Sequence, residues 1–195
     1  VPAIVLHECA HGWVAAKLGD PTATRLGRLT LNPIKHVDPV GTIIVPAVLY
    51  LIHALGMTKG LFLFGWAKPV PVNFSRLNNS KRDMIFVALA GPVTNILIAV
   101  LLSQVIRSGF LPQISSALFW GVLLNLTLAV FNMIPIPPLD GGKVLMGLLP
   151  TSLGRHLLAL DGPVGLVIVM IALNVGGLDF IDPVIYGFMH LIGLQ

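Results

Sequence analysis

Charge is scarce in this chain and glutamate is all but missing: 10% of the 195 residues are Asp, Glu, Lys or Arg, and Glu8 is the one glutamate. Soluble domains carry roughly 25% charged residues, so this composition excludes an ordinary soluble globular domain. Cysteine is nearly absent as well. The single thiol, Cys9, excludes an internal disulfide framework and, in an apolar helix, reads as a small buried side chain rather than a redox centre. There is no internal repeat, no low-complexity tract and no polar stretch long enough for a separate soluble domain. The net charge of +4 is spread through connecting segments and forms no run suited to a nucleic-acid groove, so nucleic acid is not an expected partner.

What the chain has in quantity is apolar surface, with 55% hydrophobic residues and a mean hydropathy of +0.90. Apolar stretches run over Ile43–Leu55, Met84–Ile106, Leu118–Ile134, Leu157–Val175 and Ile181–Leu194, with Val1–Leu18 as an opening one. A spanning helix needs roughly 20 mostly apolar residues. The expected fold is therefore an all-α polytopic membrane protein, a bundle of about five or six transmembrane helices forming one membrane-embedded domain over residues 1–195. Because Val1 is already apolar, with no initiator Met and no basic flank, a further transmembrane helix upstream is expected. Arg25, Arg28 and Lys35 fall in one connector and Lys68, Arg76, Lys81 and Arg82 in the next. The positive-inside rule places both on the cytoplasmic face, so Val40–Met57 between them is expected to dip into the bilayer and return.

The chemistry begins in the first helix. His7-Glu8-Cys9-Ala10-His11 fits H-E-x-x-H, in which two histidines one turn apart face one metal and the glutamate between them reaches its water. The pattern works only on a helix. Val1–Leu18 supplies one, with Pro2 tolerable in the first turn and Gly19-Asp20-Pro21 as a stop signal. Ionisable groups at membrane depth are expensive unless they pair or bind something, and the bland alternative is a polar patch satisfied by helix–helix hydrogen bonds.

A hydrolytic zinc takes three protein ligands and keeps one position for water, so a third His, Asp or Glu must come from elsewhere. His36 lies in a polar connector and His156 beside Arg155, while His53 and His190 occupy apolar stretches without a motif, His53 being the more suspect. Asp20, Asp38 and Asp182 precede prolines, Asp83 opens a helix, and Asp179 follows a Gly pair. Asp140 and Asp161 remain, both within Leu-Asp-Gly. Asp161 reads as a turn between spans. Asp140 follows Asn132–Leu139, whose three prolines cannot continue a regular helix, and unwound backbone at membrane depth survives only where protein or a water-filled cavity satisfies it. A proline hinge with Asp140 as an N-cap is the alternative reading.

Taken together these residues resemble the site-2 protease family of intramembrane zinc proteases, which carry H-E-x-x-H in one membrane helix and L-D-G in a later one. The resemblance extends to Leu18–Thr22, Gly27–Pro33, Gly65–Asn73, Ala90–Asn95 and Asn132–Gly142, and is to the branch without an inserted PDZ domain or appended CBS domains. It implies one zinc ion per chain held by His7, His11 and Asp140, with Glu8 as general base. It also implies that Asn132, and less directly Asn95, contacts substrate or steadies the reaction intermediate. The implied substrates are single-span membrane proteins cut within or beside the bilayer of a prokaryotic cell membrane, by a multi-pass protein that is a candidate homo-oligomer.

A substrate helix hides its peptide bonds in i to i−4 hydrogen bonds and must unwind before cleavage. The alternation of Thr24–Leu31 is expected to offer a short membrane-associated β segment to the extended peptide. The competing class is a membrane transporter or metal-handling protein using the same His and Asp residues as a transit site.

Overall fold

The computed structural model describes residues 2–56, 65–158, 160–174 and 180–194, and among them it is all-helical. Helix α1 (Pro2–Lys17) is followed by one turn, α2 (Thr22–Arg25), and a π-helical turn over Pro39–Ile44 runs into α3 (Val45–Ala54). The long α4 (Ser80–Ser108) and α5 (Ser115–Asn132) come next. After an unwound stretch the chain ends in α6 (Asp140–Leu148), α7 (Thr151–Leu158), α8 (Pro163–Asn174) and α9 (Ile181–Leu191).

Every apolar stretch of the sequence falls largely on helix, but among the described residues only Ser80–Ser108 and Pro112–Asn132 are long and apolar enough to cross a membrane. The others are shortened by residues that composition averages over. Gly19, at φ +108°, ends α1, and Pro163 restarts the chain as α8. Asp179, Val175 and Met57 lie outside the described residues. Both long helices leave large apolar side chains exposed, among them Leu97, Leu101, Trp120 and Leu124, as lipid-facing helices do.

The segment expected to dip is helical over Pro39–Ala54. At about 1.5 Å per residue its 16 residues reach roughly 24 Å, short of a hydrocarbon core of about 30 Å. Trp66 N–H donates to the Gly41 carbonyl (3.1 Å) and Lys68 N–H to that of His36 (2.9 Å), so the chain at 66–68 lies beside the start of this segment.

Thr24–Leu31 is not a β segment. Asp20 accepts from the backbone and hydroxyl of Thr22, which starts a helical turn; Gly27 then adopts φ +60° and Arg28 N–H bonds back to Ala23. Alternation of apolar residues was outweighed by this local cap and by a left-handed glycine, the conformation that interrupts a strand.

Helix α4 is the centre of the bundle and packs against α1, α5 and α6. It begins with a reciprocal cap: Asn79 accepts from Arg82 N–H, and buried Asp83 accepts from Asn79 N–H. Ala99, Val122, Leu126, Ile185 and Met189 form the core where α4, α5 and α9 meet.

Candidate metal centre

Three buried side chains from two distant parts of the chain converge on one point: His7 and His11 of α1, and Asp140 at the start of α6. His7 Nε2 lies 3.1 Å and His11 Nε2 3.2 Å from Asp140 Oδ2, and the two Nε2 atoms are 3.0 Å apart. One helical turn separates the histidines, so their imidazoles leave the same face of α1. Asp140 arrives because α5 stops at Asn132 and the proline-rich stretch carries the chain back. It opens α6 rather than capping it, with Leu139 in the capping place.

The donor set fits a metal. His11 Nδ1 lies 2.7 Å from the Val87 carbonyl, so the ring proton sits there and the Nε2 lone pair turns to the cluster, the second-sphere arrangement that fixes a ligating tautomer. Three lone-pair atoms pressed to about 3 Å need a shared cation or proton between them. The triangle is near the roughly 3.3 Å edge of a tetrahedron with 2.0–2.1 Å metal–ligand distances.

Gly91 of α4 closes the centre from behind: a Cβ there would stand 2.5 Å from His11 Nε2 and 2.6 Å from His7 Nε2. Lys143, one turn beyond Asp140, holds its Nζ 3.6 Å from Asp140 Oδ1.

The cluster opens on a cavity of about 380 Å³ shared with Glu8, Asn132, Lys143, Asp161 and the segment Pro69–Val72. Glu8 Oε2 accepts the Val70 N–H at 2.7 Å. Asn132 lines the same wall, its amide nitrogen donating to Leu128. Cys9 points elsewhere and donates to the Thr30 carbonyl.

Asn95 is not brought to the cavity. It is fully buried on α4 one turn beyond Gly91, and neither amide atom has a hydrogen-bond partner among the described residues. His36, His53, His156 and His190 do not line the cavity; His36 bonds to the Thr30 carbonyl and His156 to its own helix.

Asp161, which reads as a turn in sequence, stands at the cavity wall, as does Lys143. The repeated Leu-Asp-Gly was the one available signal for Asp161, and it does not encode where α8 begins relative to α6. Nothing local marks Val70 as the partner of Glu8, 62 residues earlier.

An all-helical fold with two helices apolar enough to cross a membrane, and with two histidines, one carboxylate and a neighbouring glutamate on one cavity, carries the donor set of a zinc metallohydrolase. The chain belongs to peptidase family M50, the site-2 protease family. Residues 106–175 match that family. The chain is 38% identical over 161 residues to the protein named "Putative zinc metalloprotease YwhC" of Bacillus subtilis, covering 77% of this chain and 67% of that one. It is 32% identical over 143 residues to a Rip2 protein of Mycolicibacterium smegmatis with the same class name, covering 71% of this chain and 51% of the relative. A shorter match, 48% over 66 residues, is to MJ0611 of Methanocaldococcus jannaschii. The chain thus spans two thirds of the first relative and about half of the second. No solved structure matches it.

Proposed function

We propose that this chain is the catalytic part of an intramembrane zinc metalloprotease that hydrolyses peptide bonds of membrane-spanning or membrane-adjacent segments. The observation that carries the reading is the convergence of His7, His11 and Asp140 at 3.0–3.2 Å with Glu8 on the same cavity. His7 and His11 would hold zinc through Nε2 and Asp140 through Oδ2, one ion per chain. Zinc bound there supplies Lewis-acid polarisation of the scissile carbonyl and acidifies a water molecule.

The chain's own residues do the rest. Glu8, with Oε2 held by Val70 N–H, uses its other oxygen to take a proton from water and returns it to the leaving amine. Asn132, which lines the same cavity, would contact the substrate backbone or the developing oxyanion. The reading does not extend to Asn95 as a substrate contact, since its side chain is buried and off the cavity wall.

In a prokaryotic cell membrane the shorter helices would complete a bundle of about five or six spans. Single-span membrane proteins are the fitting substrates, because the cavity is lined in part by α4 and α5, the two helices apolar enough to lie in a membrane. A transit site for metal ions is not favoured by the family.

The test is to purify wild type and Glu8→Gln in detergent, measure zinc per chain, and assay both against a panel of single-span proteins with chelator controls. Both should hold one zinc, and only wild type should cleave; a Glu8→Gln protein that cleaves normally removes the reading.

A further inference from the structure

Trp66–Asn73 crosses the face of α1 as a strap without helix or strand; Trp66 at its start is bonded to Gly41 and Thr42, and four further groups pin its backbone. Lys68 N–H donates to the His36 carbonyl at 2.9 Å. Asn73 N–H donates to buried Asp20 at 2.6 Å. Val70 N–H donates to Glu8 Oε2 at 2.7 Å. The fourth is Arg28, whose guanidinium donates to the carbonyls of Lys35 (2.5 Å), Lys68 (3.0 Å) and Pro69 (3.3 Å). Arg28 has no acidic partner among the described residues; each of its three hydrogen bonds goes to main chain in two connectors. An arginine fork used this way fixes geometry, because its planar donors hold several carbonyls at once.

We propose that Arg28 is a positioning residue for Glu8, acting through the strap: it holds the peptide planes on either side of Pro69 so that Val70 N–H stays aimed at one carboxylate oxygen. A glutamate side chain on a membrane helix has several rotamers open to it, and few of them face the cluster. The strap selects one, occupying Oε2 and leaving Oε1 for proton transfer. Pro69 and Pro71 stiffen the strap on both sides of Val70, since each fixes φ and neither carries an N–H. This inference rests on Glu8 being the general base, and its test is chosen so that the two can fail separately.

The experiment uses the full chain, zinc-loaded in detergent. Between Lys68 and Val72 the prolines leave three amide hydrogens, those of Lys68, Val70 and Val72, so hydrogen exchange followed by mass spectrometry reads the strap almost residue by residue. Glu8→Ala should release one slow amide, and Arg28→Met two, each exchanging at least about tenfold faster. In turnover of the best single-span substrate, Arg28→Met should lower kcat by about tenfold to a hundredfold, the scale expected for a misplaced catalytic group. KM should change less than twofold and zinc per chain should stay at one. Arg28→Lys should recover part of the loss, because an ammonium reaches Lys68 and Pro69 but not Lys35 as well.

Unchanged exchange in Glu8→Ala overturns the Val70–Glu8 bond. Normal or raised kcat in Arg28→Met overturns the positioning role, a rise meaning that the strap latches the base shut. If Arg28→Met loses zinc through misfolding, Arg28→Lys and the Glu8→Ala exchange still decide the matter. Wild type that cleaves nothing, with the exchange pattern intact, removes the protease reading instead and the role of Arg28 with it.

Discussion

Gly91→Ala is the smallest change that reaches the metal cluster without altering a ligand. The new methyl would stand 2.5 Å from His11 Nε2 and His7 Cε1 and 2.6 Å from His7 Nε2, about 1 Å inside ordinary contact. The histidines cannot simply swing aside. His11 is bonded to the Val87 carbonyl at 2.7 Å, on the same helix as Gly91, so pushing α1 from α4 breaks the bond that orients it. Overpacking costs about 1–3 kcal/mol, and replacing a mid-helix glycine by alanine returns roughly 0.5–1 kcal/mol. The net loss, about 0–2.5 kcal/mol on those figures, is small enough for the protein to stay folded. The metal is less forgiving. Ligand distances tolerate about 0.2 Å, and a displacement approaching 1 Å is several times that. Gly91→Ala should therefore purify as a folded protein whose zinc content, by elemental mass spectrometry, falls from one per chain to below about 0.1 after dialysis against a weak chelator. Full zinc and normal turnover would refute the placement of Gly91 against the two imidazoles.

Two further outcomes follow from the same geometry. Asp140→Asn keeps the side-chain volume but removes the ligand charge, so zinc affinity should fall by more than the roughly 10–100-fold of a second-sphere change; chelator competition against Glu8→Gln, which keeps all three ligands, measures it. Asp20 gives a pH signature away from the cluster. Burial pushes its carboxyl up, but hydrogen bonds from Thr22 and Asn73 and the nearby Arg76 charge outweigh that and leave it below the ordinary carboxylate range. A depressed folded pKa contributes stability that is present above the unfolded value, near 3.9, and is lost as pH falls toward the folded one. The melting-temperature gap between wild type and Asp20→Asn should accordingly be steady from about pH 7 to pH 5 and narrow below about pH 4; a gap that widens in acid would contradict it.

The helical class and the pairing of His7 with His11 were legible because both depend on short spacing: 3.6-residue periodicity puts i and i+4 on one face whatever surrounds them. Asp140 was legible for a different reason, since three prolines after an apolar run mark unwound backbone where a membrane tolerates it only beside a cavity. Span length was not. Apolar composition alone runs on through Leu157–Val175, and it is the turn marked by Asp161-Gly162-Pro163 that divides the described chain there into α7 and α8. The expected strand failed where local capping by Asp20 competed with alternation. Gly91 stands in Gly-Pro-Val-Thr-Asn, and its role depends on which face of α4 meets α1, a tertiary fact. Val70 carries no side-chain chemistry at all, so a backbone donor to Glu8 leaves no mark in the residue types.

Why the carboxylate ligand opens a helix is the remaining structural question, and the unwound segment answers it. A lone carboxylate in apolar surroundings is costly until a cation arrives, so the fold must make its charge tolerable beforehand. Standing in the first turn of α6, Asp140 lies where unpaired backbone N–H groups and the positive end of the helix dipole favour an anion, and Lys143 reaches its outer oxygen from the next turn. That start requires the chain to fold back tightly on itself. Cβ atoms at Gly141 and Gly142 would stand 2.2 Å from the Met133 carbonyl oxygen and 2.4 Å from Pro137 N, so the glycine pair is what lets α6 begin so close to the end of α5. With Oδ1 turned to the lysine, Oδ2 is left for the two imidazoles, and a carboxylate offering one oxygen keeps the ligand count low enough for water to complete the site. On this reading Leu-Asp-Gly-Gly-Lys works as one unit: the glycines set the position, the helix start and the lysine support the charge, and the aspartate presents a single oxygen.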